Sequence, residues 1–165
     1  MTDNRQRLGV VSTASGGLRL TCEGDAGNRM EKEFLNPPDL PNWPHAFSQV
    51  VIVKNGDVRT IYVSGQVSVD EKRMLIGAGD LEAQAEQTFR NLTRALAAAG
   101  VVQTDVVRLG IYIKHYQASD AAVVGAAFRR VFRHHDLPVS TWLGVESLAE
   151  EGFLIEVDAI AVAKA

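Results

Sequence analysis

Cysteine is almost absent from this chain: Cys22 is the single one among 165 residues. That excludes an internal disulfide and any cysteine-based structural zinc site, and it suits a reducing, cytoplasmic setting. Cys22 stands in a glycine-rich stretch with no histidine near it in sequence, so an inert thiol is a better reading than a nucleophile. No apolar run approaches the ~20 residues that span a bilayer. Leu8-Gly9-Val10-Val11 is also too short for the apolar core of a signal peptide. Basic charge is in deficit, with 17 Lys and Arg against 20 Asp and Glu, a net charge of −3 and a pI of about 5.8. Phosphate contacts supply most of the affinity of a nucleic-acid-binding domain, so a chain without a basic face argues against that class. The one cluster, Arg129-Arg130 with Arg133, reads as the solvated face of a helix.

Several familiar sites are missing too. Adjacent His134 and His135 would diverge by about 100° on a helix, which fits a favourable cationic C-terminus better than a shared ion. His45 and His115 lack zinc-type spacing, so no metal site is expected. Gly77-Ala78-Gly79 is too short for a phosphate loop, and no Gly-x-Ser-x-Gly elbow marks a hydrolase serine. Trp43 and Trp142 read as core or interface anchors.

What is present suffices for one packed domain, with 46% apolar residues. Residues 1–29 hold many Gly, Ser, Thr, Asn and Asp and read as an N-terminal extension preceding a single domain over 30–165. Val10–Leu20 has the makings of an added edge strand, weakened by Gly16-Gly17. Residues 36–45 carry four prolines, which makes an extended, non-helical arm. Phe47–Lys54 and Thr60–Val67 are β-rich runs flanking Asn55-Gly56-Asp57, a hairpin signal. Asp70–Gly79 reads as a loop. Asp80 suits the N-cap of a helix over 81–99, striped by Ala85, Phe89, Leu92 and Leu96 and ended by Gly100. Asp105–Lys114 alternates as a strand. A second helix over roughly 120–134 buries Val123, Val124, Ala127, Phe128 and Val131, and Val139–Val145 and Phe153–Val162 close the chain as strands. The order β-β-α-β-α-β-β predicts an α+β sandwich of two layers. Its two helices cover one sheet face and leave the other for a partner subunit.

Two segments carry candidate chemistry. Tyr62-Val63-Ser64-Gly65-Gln66-Val67 brings a small hydroxyl and a glycine to the end of a strand, where backbone can approach a ligand. Leu154-Ile155-Glu156-Val157-Asp158-Ala159-Ile160-Ala161 places two carboxylates on one face of an otherwise apolar strand. They are either solvent-facing or used, and a partly buried Glu156 would have its pKa raised toward neutrality, as proton transfer needs.

Together these segments resemble the signature of the Rid family, the reactive intermediate deaminases also called the YjgF family. The resemblance covers about residues 46–163. It includes Ala46-Phe47-Ser48-Gln49, Ser64-Gly65-Gln66, Ala99-Gly100 followed by Asp105-Val106-Val107, Tyr112-Ile113-Lys114 and the Ile155–Ala161 run. It implies a chorismate-mutase-like protomer, a homotrimer with ligand clefts between subunits, and hydrolysis of enamines and imines to carbonyl compounds and ammonia without metal or cofactor. Glu156 corresponds to the water-holding acid and Ser64 to the ligand-contacting serine, beside Gly65. The deaminating members carry Pro-x-Arg-[Ser/Thr], whose arginine clamps a substrate carboxylate. Here the run is Pro138-Val139-Ser140-Thr141-Trp142. Ser140 takes the arginine's place, Phe47 replaces a tyrosine, and Ser140, Thr141 and Trp142 would shape the pocket wall. The leading expectation is an imine or enamine deaminase with an atypical substrate. A non-catalytic small-molecule-binding or chaperone-like protein of the same fold is the alternative. A ribonuclease or translation inhibitor, an older label of the family, comes third because the charge balance opposes it.

Overall fold

The computed structural model describes residues 30–43, 45–133 and 136–165, together with the backbone of Leu8–Ser12 and Leu18–Cys22. The Gly16-Gly17 pair, the Cys22 side chain and the His134-His135 pair lie outside the described residues. The elements are β1 (Leu8–Ser12), β2 (Leu18–Cys22), β3 (Met30–Leu35), β4 (Val50–Asn55), β5 (Val58–Val67), α1 (Leu81–Ala98), β6 (Val106–Lys114), α2 (Asp120–Val131), β7 (Val139–Val145) and β8 (Ile155–Lys164). The strands form one eight-stranded sheet in the order β1-β2-β3-β4-β5-β8-β6-β7. All pairs are antiparallel except β6 with β7, which α2 links as a crossover.

The run β4-β5-α1-β6-α2-β7-β8 is the α+β order expected from the sequence. Three further strands precede it: β1 and β2 stand where the pattern suggests one edge strand, and β3 has no counterpart in the sequence reading. Glu31-Lys32-Glu33 hides β3 from an apolar-pattern reading. It forms because it pairs with β4 along its whole length, from Met30 opposite Asn55 to Leu35 opposite Val50. The first expected strand starts at Val50 rather than Phe47. Ala46 and Phe47 donate their N–H groups to the Trp43 carbonyl, so the chain turns there. Similarly β8 starts at Ile155, because the Leu154 N–H is drawn to Gln84 Oε1 at 2.9 Å.

Asp80 caps α1 as its residue type suggests, with Oδ1 accepting from the Glu82 and Ala83 N–H groups at 3.0 and 3.1 Å. Gly100 follows at φ +67°, a conformation that favours glycine. α2 ends at Val131, earlier than the sequence pattern suggests, because Phe132 leaves the helical path and buries its ring beside Phe89 and Phe128. Of the five α2 residues expected inside, Val124 and Ala127 are fully buried, and Val123, Phe128 and Val131 are half-buried.

The core lies between the helices and one sheet face. Ala85, Phe89, Leu92 and Leu96 of α1 meet Ile61 and Val63 of β5, Leu109 and Ile111 of β6, and Ile155, Val157 and Ala159 of β8. Strand alternation sends the neighbouring residues to the other face, which neither α1 nor α2 covers. There Tyr62, Leu143 and Val139 are 47%, 48% and 71% exposed. Among the described residues no helix is long and apolar enough to cross a membrane.

Candidate active site

The site begins with an irregularity in β5. Val63 pairs with Ala159 and Gln66 with Val157, so β5 carries one residue more than β8 between these points. That bulge holds Ser64 and Gly65. Ser64 is tied to the segment that follows the proline-rich arm: its N–H and its hydroxyl both donate to the Gln49 carbonyl, at 3.0 and 3.2 Å. Two buried amides complete the tie. Gln66 Nε2 donates to Gln49 Oε1 at 2.8 Å, and Gln49 Nε2 donates to the Pro41 carbonyl at 2.6 Å. Left unbonded, such groups would cost about 1–3 kcal/mol each, so these bonds hold arm and bulge in one arrangement.

Gly65 packs directly beneath Glu156. A β-carbon built at position 65 would overlap Glu156 Oε1, and it would lie 2.6 Å from the carboxyl carbon. Glu156 faces away from the core, in register with Val67 on one side and Tyr112 on the other. It is nonetheless half-buried. Burial, and secondarily the charge of Asp158, pushes its pKa above the usual carboxylate value.

A pocket of about 240 Å³ opens over this carboxyl. Trp43 and Phe47 form one wall, their rings stacked with centroids 5.5 Å apart. Val67 and Phe153 add apolar surface, and Glu150 joins Glu156 as a second acid in the lining. Larger clefts lie between α1 and α2 and beneath residues 33–39, at about 330 and 470 Å³, but neither contains a residue singled out by the sequence pattern as a site. Among the described residues, no group of three or more His, Cys, Asp or Glu side chains is arranged to hold a metal ion.

Phe47, Gly65 and Glu156 therefore meet in one pocket. Ser64 adjoins it through the bulge but spends its hydroxyl on Gln49. Ser140, Thr141 and Trp142 do not line it: they lie on β7 at the sheet edge, separated from β8 by β6. Ser140 and Thr141 are exposed, and Trp142 packs against the main core. Asp158 does not line the pocket either. Its Oδ1 accepts from Arg108 Nη1 at 2.7 Å and its Oδ2 from the Tyr112 hydroxyl at 2.9 Å. That bond to Asp158, with burial second, raises the Tyr112 pKa. Gly110 makes the cluster possible, since a β-carbon there would sit 2.6 Å from Asp158 Oδ2.

Sequence reasoning missed Glu150, Phe153, Gln49, Arg108 and the pocket role of Trp43. The only available signals were the acidic pair Glu150-Glu151 before Gly152, and the two glutamines near the bulge.

A two-layer α+β protomer with a half-buried carboxyl seated on a strand-bulge glycine is the class of fold and site that the chain presents. Residues 40–163 match the family profile described as Endoribonuclease L-PSP. A 2-iminobutanoate/2-iminopropanoate deaminase of Rattus norvegicus is 34% identical over 131 residues, 79% of this chain and 90% of that protein. Protein DfrA of Myxococcus xanthus is 33% identical over 134 residues, 81% of this chain and 98% of that protein. The crystal structure of RidA from an Antarctic Psychrobacter bacterium superposes with a TM-score of 0.65 at 29% identity, covering 78% of this chain and 97% of that one. The chain belongs to the Endoribonuclease L-PSP family, whose members include the Rid deaminases.

Proposed function

We propose that this protein hydrolyses reactive imines and enamines to carbonyl compounds and ammonia, with Glu156 activating the water. The observation that carries this reading is the Glu156 carboxyl: half-buried, seated on Gly65 inside a pocket, with its pKa raised by burial. A raised pKa brings a carboxylate closer to the range in which it both takes and returns a proton. Water adds to the C=N carbon while its proton passes to Glu156. That proton goes to nitrogen, the added hydroxyl then gives up its own proton to nitrogen as the carbonyl forms, and the C–N bond breaks so that ammonia leaves. One imine and one water thus become one carbonyl compound and one ammonia, with no change of oxidation state. The named activity of the rat relative supports the reaction class. No metal or organic cofactor enters these steps.

The working form in this proposal is a homotrimer, with the ligand in a cleft between subunits. The exposed apolar side chains on the uncovered sheet face support such an assembly. Ser140, Thr141 and Trp142 of a neighbouring copy would then supply the far wall that one protomer leaves open. The deciding experiment generates imines in situ and follows ammonia. Release faster than in buffer, abolished by Glu156→Gln, is expected. Rates equal to buffer across a range of imines would remove the enzyme reading.

Ser140, standing where the deaminase pattern has arginine, favours a second reading, a binding protein that holds a small metabolite without turning it over. Saturable ligand binding with no ammonia release would select it.

A further inference from the structure

Arginine is plentiful on this protein, yet among the described residues none lines the pocket over Glu156. Arg90 and Arg130 line the cleft between the helices, Arg59 bonds the carbonyls of Ala99 and Gly100, and Arg108 is engaged by Asp158. Among the described residues that line the Glu156 pocket there is no Lys, Arg or His, while there are two carboxylates, Glu150 and Glu156. The remaining walls are the stacked Trp43–Phe47 pair, with Val67 and Phe153. The run Val139-Ser140-Thr141-Trp142, which would complete the cleft from a neighbouring copy, has no basic residue either.

A substrate carboxylate entering such a space would meet like charges and no counter-ion among these lining residues, and its repulsion by half-buried Glu156 would be stronger than in open water. A cation meets the opposite: carboxylates on one side and the negative faces of aromatic rings on the other. The pocket also favours the electrophilic form of an imine, because neighbouring negative charge raises the pKa of C=N nitrogen.

We propose that the pocket takes the protonated imine of an apolar or aromatic amine that bears no carboxylate, its iminium facing Glu156 and Glu150 and its hydrocarbon part lying on Trp43 and Phe47. This rests on the deaminase reading of the same site. The reaction balances as one iminium cation plus one water giving one carbonyl compound plus one ammonium ion. Water adds to carbon, one of its protons passes through Glu156 to nitrogen, the C–N bond breaks with its electron pair leaving on nitrogen, and the hydroxyl proton follows to ammonia as the carbonyl forms. With aromatic rings at three lining positions, Trp43, Phe47 and Phe153, the hydrocarbon part of the ligand would supply the binding energy that a carboxylate clamp otherwise provides.

The test separates binding from turnover. Calorimetric titration of the full chain with benzyltrimethylammonium, an inert cation of the right shape, should show binding at least about tenfold tighter than benzoate. Phe47→Ala and Glu150→Gln should each weaken the cation severalfold and leave benzoate no worse. Benzoate binding as tightly as the cation, or cation binding untouched in both variants, overturns the proposal. Turnover is then compared between benzaldimine, made from benzylamine by an amine oxidase, and 2-iminopropionate, made from alanine by an amino-acid oxidase. A higher kcat/KM for benzaldimine is expected. Equal or better use of 2-iminopropionate would overturn the ligand class and leave the deaminase reading standing. Preferential cation binding without ammonia from either imine would do the reverse.

Discussion

Glu156 occupies the space in which a side chain at position 65 would stand. Gly65 is not at positive φ, so its requirement is one of volume and not of backbone conformation. Gly65→Ala must therefore swing the Glu156 carboxyl out of place, because Cγ and the carboxyl carbon are blocked as well as Oε1. The half-buried carboxyl opens onto the pocket and can yield into it, so the stability cost should stay near ~1 kcal/mol. Imine hydrolysis should fall far more, by at least about tenfold. Denaturant melts and ammonia release, measured on the same preparation, check this dissociation of the two effects.

Stability and activity should also part at Glu156 itself. Its folded pKa lies above the ordinary value, so the folded state holds its proton more tightly than the unfolded chain. The associated stability is present at low pH and is lost as pH rises through the folded value. Glu156→Gln removes that penalty. The variant should melt higher than the parent at pH 7, on the order of a few degrees at most given the partial exposure. The advantage should shrink as pH falls toward that of an ordinary carboxylate, while ammonia release is lost at every pH. Thermal melts over a pH series read the sign directly.

Asp158 acts on Glu156 through charge. Its carboxylate is the second cause of the raised Glu156 pKa and is itself held by Arg108 and Tyr112. Asp158→Asn removes the repulsion and leaves the Arg108 cation unbalanced nearby. Both changes favour ionised Glu156, so the acid limb of the pH–rate profile should move to lower pH. Tyr112→Phe breaks one bond and keeps the charge, so it should move that limb much less.

The uncovered sheet face makes a prediction about assembly. Light scattering should report about three times the 17.9 kDa monomer mass. Paired charges at Tyr62 and Leu143, both exposed on that face, as Tyr62→Glu with Leu143→Glu, should yield a smaller species that stays folded by circular dichroism. A monodisperse monomer from the parent chain would remove the intersubunit cleft.

Ser140→Arg reintroduces a cation into the run that would face the pocket from a neighbouring copy. Turnover of 2-iminopropionate should rise severalfold, and binding of benzyltrimethylammonium should fall. No gain in the first would point to closure of the pocket by Phe47 or Trp142.

Much of the framework was legible from residue pattern. The stripe Ala85, Phe89, Leu92, Leu96 is buried as its spacing implies, and the alternation of Ile155, Glu156, Val157 and Asp158 separates core from open face. β3 was not legible, because its stability comes from a pairing with β4 that charged residues at 31–33 do not announce. The early end of α2 was hidden for a like reason: Phe132 gains more by packing on Phe89 and Phe128 than by continuing the helix.

The linear order of residues determined the element sequence from β4 onward, the core stripe, the family and the placement of Glu156 off the apolar face, since local spacing and alternation decide these. Only the tertiary structure decided that Gly65 lies under Glu156, that Asp158 is claimed by Arg108 and Tyr112, and that Glu150 joins an aromatic pocket. Those facts depend on strand register and on a one-residue bulge, which bring together positions dozens of residues apart. Short-range pattern carries no record of them.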